Sequence, residues 1–130
     1  MGKIGAVTTV LAWTLAVAAC GGAREVEVRH APTPHSVDSV YVDVVNDYFY
    51  DARVYALYDG GHRYTLGIVT GHSESPTAAV LWQPRPIVFE ISFIGAPGLY
   101  LSDELMLEPG DAIKLTIPPN IATSAFFRRR

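Results

Sequence analysis

The chain has one cysteine in 130 residues, so no disulfide can form within it. Its uncharged run near the start is short for a membrane span, so a retained transmembrane helix is the lesser reading there. Ile4 to Ala19 is uncharged over 16 residues, and Gly5, Thr8, Thr9 and Thr14 dilute it. A permanent transmembrane helix needs roughly 20 strongly apolar residues. Positive charge is also scarce. There are 10 basic residues against 13 acidic ones, and only Lys3 of the basic set precedes Ala19. An acidic body is a poor partner for phosphate backbones, which argues against nucleic acid. Helical periodicity is nearly absent. Metal-ligand spacing is missing as well. His30, His35, His62 and His72 are scattered, and zinc needs three or four convergent ligands.

What is present begins with order at the N-terminus. Lys3 forms a basic head, the apolar run follows, and Val17-Ala18-Ala19-Cys20 closes it with small residues before the cysteine. A charged head, an apolar stretch and a small-residue cleavage site are the parts of a secretory signal. With Cys20 in place, the segment resembles a bacterial lipoprotein signal peptide and its lipobox. The resemblance implies cleavage between Ala19 and Cys20, a diacylglyceryl group on the Cys20 sulfur, and acylation of the new amino group. Two or more chains hold a protein stably where one does not. Gly21 and Gly22 stand where that family's inner-membrane retention signal usually has an aspartate. The resemblance thus implies a cell-envelope protein at the outer membrane, facing the periplasm or the cell surface.

The expected layout is a signal peptide over 1–19, a lipidated cysteine and tether over 20–36, a compact domain over 37–121 and a basic tail over 122–130. Pro32-Thr33-Pro34 favours extended chain. Glu25 to His30 alternates charge with Val26 and Val28, enough for a short edge strand.

Period-two alternation recurs through the domain. Val40, Val42 and Val44 share one face. Arg53 to Tyr58 reads as a second strand, and Asp59-Gly60-Gly61 as a hairpin turn. Arg63 to Val69 returns, with Gly67 placed for a bulge or a close backbone contact. Thr77 to Trp82, Ile87 to Ile94, Leu99 to Leu101 and Ala112 to Ile117 follow. About seven short strands separated by turns predict an all-β fold, a single antiparallel β-sandwich, with an open barrel as the alternative. The pattern from Asn46 through Val54-Tyr55, Gly61-x-Arg63, Leu66-Gly67 and Val69-x-Gly71 to Pro109-Gly110-Asp111 is similar to a class of small lipoproteins of environmental bacteria. That resemblance implies an immunoglobulin-like or transthyretin-like sandwich and carries over no catalytic residue.

No catalytic, metal or cofactor site is expected. Gly71-His72-Ser73-Glu74-Ser75 departs from the G-x-S-x-G elbow at its last position, and no helix follows it. His72-x-Glu74 lacks the cysteine half of a zinc deaminase signature. Asn46, Asp47 and Asp51 could converge on calcium, but no EF-hand spacing accompanies them, and Asp and Asn commonly serve turns. Asp103, Glu104, Glu108 and Asp111 invite the same reading and the same answer.

Tyr48-Phe49-Tyr50 is more informative. Neighbours on a strand alternate faces, so three adjacent rings cannot all enter one core. Aromatic side chains are favoured at interfaces. Trp82 and Tyr100 could extend such a patch, and Arg128, Arg129 and Arg130 could meet anionic lipid or an acidic partner. The expected function is a lipid-anchored, non-catalytic envelope module that binds another envelope protein, as an extrinsic subunit of a larger complex. The alternative is a ligand-binding or hydrolytic lipoprotein acting on sugar or peptide, with its site beside Asp47, Asp51 and His72.

Overall fold

A computed structural model describes residues 25–29 and 38–130. The expected signal peptide, cleavage site and Cys20 lie outside the described residues, as do His30, His35 and the Pro-Thr-Pro segment. Within the described residues the fold is all-β, a sandwich of two sheets. The strands are β1 (Val26–Arg29), β2 (Ser39–Asn46), β3 (Ala52–Tyr58), β4 (His62–Val69), β5 (Ser73–Glu74), β6 (Ala78–Leu81), β7 (Ile87–Phe93), β8 (Leu99–Ser102), β9 (Ala112–Ile117) and β10 (Phe127–Arg129). A single 3₁₀ turn, Ile121–Thr123, precedes β10.

The first sheet has the order β1-β9-β2-β5, with β6 also paired to β2. The second has the order β10-β8-β7-β3-β4. Alternation decides which side chains lie between them. Val40, Val42 and Val44 on β2 and Ile113, Leu115 and Ile117 on β9 are buried from one side. Val54 and Ala56 on β3 and Phe89 and Ile91 on β7 are buried from the other. Each large side chain so buried contributes about 1.5–3 kcal/mol.

Turn chemistry sets the registers. Tyr58 pairs with His62, leaving Asp59-Gly60-Gly61 as the hairpin loop. Gly60 and Gly61 both take positive φ, 99° and 90°. The β3–β4 register shifts between Val54 and Tyr55, opposite Leu66-Gly67, so the bulge falls where Gly67 foretold it.

Not every pairing is antiparallel. β2 and β9 run parallel, from Tyr41↔Ala112 to Asn46↔Ile117. The chain leaves β8 downward, crosses through 103–111 and enters β9 from the same end as β2. That end, with 59–61 and 103–111, is called the lower pole. The upper pole carries 47–51, which joins β2 to β3, and 94–98, which joins β7 to β8.

Both ends of the described chain belong to the sandwich. Val26–Arg29, within the expected tether, pairs with β9 as an edge strand. The expected basic tail, 122–130, also contributes a strand. Phe127 is buried, and Phe127–Arg129 pairs with β8 from Ser102 to Tyr100. A ring in the core and a backbone ladder outweigh the entropy of a free terminus at this position.

Candidate functional site

Asn46 organises the upper pole. It ends β2 fully buried, and its amide Nδ2 donates to the carbonyls of Tyr50 at 2.8 Å and Val69 at 3.0 Å. Its Oδ1 accepts the Tyr48 backbone N–H at 3.1 Å. The 47–51 loop is thereby folded back on the sandwich. Gly71 closes it from the far side. A Cβ at this position would lie 2.2 Å from the Phe49 carbonyl oxygen, so only glycine permits the approach. The Gly71 N–H donates to Asp51 Oδ1 at 3.1 Å.

This scaffold splits the aromatic triplet. Tyr48 turns inward, its ring centroid 4.6 Å from that of Phe93. Tyr50 is half-buried, with its centroid 4.0 Å from that of Phe49. Phe49 points outward and is 63% exposed. The neighbouring loop adds Ile94, 38% exposed, whose N–H donates to the Asp51 carbonyl at 2.9 Å. At least one ring of the triplet was expected at the surface, and that ring is Phe49.

The other aromatic candidates lie elsewhere. Tyr100 is a core residue, buried on the inner face of β8 and edge-on to Phe93 at 5.9 Å. It extends the cluster inward and offers no surface. Trp82 sits at the lower pole, where its Nε1–H donates to the Leu107 carbonyl at 2.8 Å and its backbone N–H to Asp38. It is not continuous with Phe49. Of the three arginines, Arg128 pairs with Asp103 Oδ1 at 2.9 Å. Arg129 and Arg130 are exposed, and the Arg130 N–H donates to the Leu99 carbonyl at 2.9 Å.

The polar loop after β4 is committed to structure. His72 adopts φ 57° at the crossing from one sheet to the other. Ser73 Oγ donates to the Thr70 carbonyl at 2.6 Å, and Ser75 Oγ accepts the Val44 N–H at 3.0 Å. Glu74 lies 3.5 Å from the Lys114 ammonium. Asn46 and Asp51, named above as calcium candidates, hold backbone groups instead. Among the described residues, no three His, Cys, Asp or Glu side chains converge as a metal site.

Sequence reading missed the outer face of the second sheet. Leu57, Val88 and Leu101 floor a groove of about 370 Å³, with Asp59 and Glu104 at its rim. Beside it, Glu90 is buried on an outward-facing position because Arg63 covers it. The Arg63 guanidinium pairs with the Glu90 carboxylate and stacks 3.7 Å from the Tyr55 ring centroid. The signal was present in Val88, Glu90 and Leu101 as the second face of β7 and β8. Alternation alone does not say that this face carries a groove. A second, polar groove of about 300 Å³ lies on the first sheet, lined by Arg29, Asp43, Glu74 and Lys114. Neither groove is lined by Tyr48, Phe49, Tyr50, Asp47 or His72.

Comparison with known proteins returned no match to a protein-family model, a curated protein or a solved structure. The site therefore has to be read from its own chemistry.

Proposed function

We propose that this chain is a lipid-anchored, non-catalytic module of the bacterial cell envelope that binds another envelope component. The observation that carries the reading is Val17-Ala18-Ala19-Cys20 at the close of an uncharged run, which resembles a lipobox. Acyl chains on Cys20 would hold a small sandwich at a bilayer surface. The arrangement of the polar groups supports a binding role over catalysis. The serine hydroxyls of 73 and 75 serve backbone groups, and a nucleophile needs a positioned base.

The protein partner in this reading is a subunit of a larger envelope complex. The groove over Leu57, Val88 and Leu101 supports it, since an apolar floor beneath two carboxylates suits a partner that brings apolar and basic side chains. A small ligand is the second reading, favoured by the same groove, whose volume falls within the usual range for ligand sites.

Intact mass of the protein from cell membranes tests the anchor. The expected species begins at Cys20 and carries diacylglyceryl and acyl groups. Cys20→Ser should leave the chain uncleaved before residue 20 and remove lipid from its mass. An unmodified cysteine in the wild type would end this reading. Cross-linking in intact cells then tests the partner, and a free monomer in every growth condition would count against it.

A further inference from the structure

We infer that the upper pole of the sandwich, with Phe49 and Ile94 at its tip, docks onto an anionic lipid surface. This rests on the lipid-anchor reading and adds the face that meets the membrane. Four placements bring the necessary groups together.

The first is the direction from which the chain enters. The Glu25 carbonyl accepts the Thr116 N–H at 2.7 Å, and Thr116 is level with Val45 on the next strand. One residue further along β9, the Ile117 carbonyl accepts the Asp47 N–H at 2.9 Å. Two strand spacings separate Glu25 from Val45, about 10 Å across the sheet. β1 then runs away from the upper pole, antiparallel to β9. The chain preceding Glu25 thus joins the sandwich on the upper side.

The second is reach. Cys20 is five residues before Glu25. Five residues span at most roughly 18 Å even when fully extended. Lipid at Cys20 therefore keeps this pole close to the headgroups, while the lower pole lies the length of a β-strand further off.

The third is apolar exposure at that pole. Phe49 and Ile94 are both large, exposed and carried on adjoining loops tied through Asp51; Leu81 and Met106 are exposed at the lower end, so the reach from Cys20, and not exposure alone, selects this pole. Asn46 and Gly71 fix the loop that presents Phe49, so little order has to be gained on contact. Phenylalanine and aliphatic side chains held out at a membrane surface are stabilised by burial at the boundary between headgroups and acyl chains.

The fourth is charge. β10 runs upward to Arg129, and the N–H of the next residue, Arg130, donates to the Leu99 carbonyl beside the 94–98 loop. Arg129 and Arg130 are exposed and make no ion pair among the described residues, whereas Arg128, lower on the strand, is paired with Asp103. Two free guanidinium groups beside an apolar tip complement anionic headgroups. Asp47 is an exposed carboxylate at the same pole and opposes them, which makes the arginines necessary for the contact.

The test uses the full chain with its lipid, purified from membranes and placed in vesicles of phosphatidylcholine and phosphatidylglycerol. A nitroxide is attached at Pro97→Cys for the upper pole or Glu104→Cys for the lower. Collision with oxygen relative to a water-soluble nickel chelate reports depth. The label at 97 should show a ratio several-fold above that at 104. Phe49→Ser with Ile94→Ser, or Arg129→Gln with Arg130→Gln, should bring the two ratios together, as should vesicles of phosphatidylcholine alone. Vesicle-bound protein with equal, aqueous ratios at both labels overturns the docking face and leaves the anchor standing. Protein that carries no lipid mass and does not sediment with vesicles overturns both.

Discussion

The Ser124 hydroxyl donates to Glu25 Oε2 at 2.6 Å, joining positions 99 residues apart in sequence. The same oxygen accepts the N–H groups of Phe126 at 3.0 Å and Phe127 at 2.9 Å. One hydroxyl thus ties the first strand of one sheet to the last strand of the other. Ser124→Ala leaves two N–H donors and a carboxylate oxygen without this partner. The expected loss is about 1–2 kcal/mol in urea unfolding. Hydrogen exchange should show β1 and β10 opening together, while the β3 amides keep their protection. Unchanged exchange in β1 would show that its ladder with β9 holds it alone.

Arg63, Tyr55 and Glu90 form a second cross-strand unit. The Glu90 side chain is 11% exposed against 51% for Arg63, so the cation shields a carboxylate that water barely reaches. Arg63→Met keeps the covering hydrocarbon and removes the charge. About 1–3 kcal/mol of stability should be lost, because a nearly buried carboxylate is left unpaired. Adding Glu90→Gln should recover part of that loss. A double variant no better than the single one would show that the ring contact, and not the pair, carries the effect.

Asn46→Leu tests the frame of the upper pole. The two side chains are close in size, so the packing change is small. The Tyr50 and Val69 carbonyls and the Tyr48 N–H would all lose their partner. The expected cost is about 2–4 kcal/mol by thermal or urea unfolding. Gly71→Ala should act on the same loop through its clash with the Phe49 carbonyl. If either variant melts like the wild type, the loop has another support.

How far the sequence could be read follows from what each signal measures. Val40-x-Val42-x-Val44 and Ile87-x-Phe89-x-Ile91 are local patterns, and the strands they describe are the ones observed. Asp59-Gly60-Gly61 and Gly67 are local as well, since positive φ is a property of one residue. Sheet partners are not local. Nothing in Val42 or Ile113 shows that β2 and β9 run parallel, because that depends on where the chain turns between them. Phe127 was hidden for a related reason. One ring beside three arginines is too short for a period, and only Ser102 across the sheet gives it a place. Tyr100 shows the opposite error. It was expected to extend a surface patch, yet the alternation puts Tyr100 on the inner face and Leu99 and Leu101 on the outer one.

Tyr58 gives a prediction with a pH signature. Its hydroxyl is buried and meets no partner with full hydrogen-bond geometry among the described residues. Burial raises its pKa above the ordinary 10.0; the Gln83 backbone, too poorly aligned for a full hydrogen bond, opposes this, and Tyr64 adds to it. The folded state therefore holds the proton more tightly than the unfolded state. That contribution is complete below about pH 10 and is lost as pH rises toward the folded pKa. Tyr58→Phe removes an unsatisfied group, so stability at neutral pH should rise by about 0.5–1.5 kcal/mol. The variant should also lose part of the alkaline decline. A less stable Tyr58→Phe would mean that water or a moved backbone group satisfies the hydroxyl.

The C-terminal strand separates packing from charge within three residues. Phe127 is 2% exposed and fills the edge of the core beside Ser102. Arg128 is next to it, but its side chain is 78% exposed and its partner Asp103 is 43% exposed. An ion pair so open to water contributes little, whereas a deleted core ring leaves a cavity. Phe127→Ala should cost about 3–5 kcal/mol, and Arg128→Ala less than about 0.5 kcal/mol. Parallel urea titrations of the two variants decide the matter. Equal and small shifts would mean that the core does not hold β10. It would also remove the platform that holds Arg129 and Arg130 at the upper pole, since their position depends on the ladder that Phe127 begins.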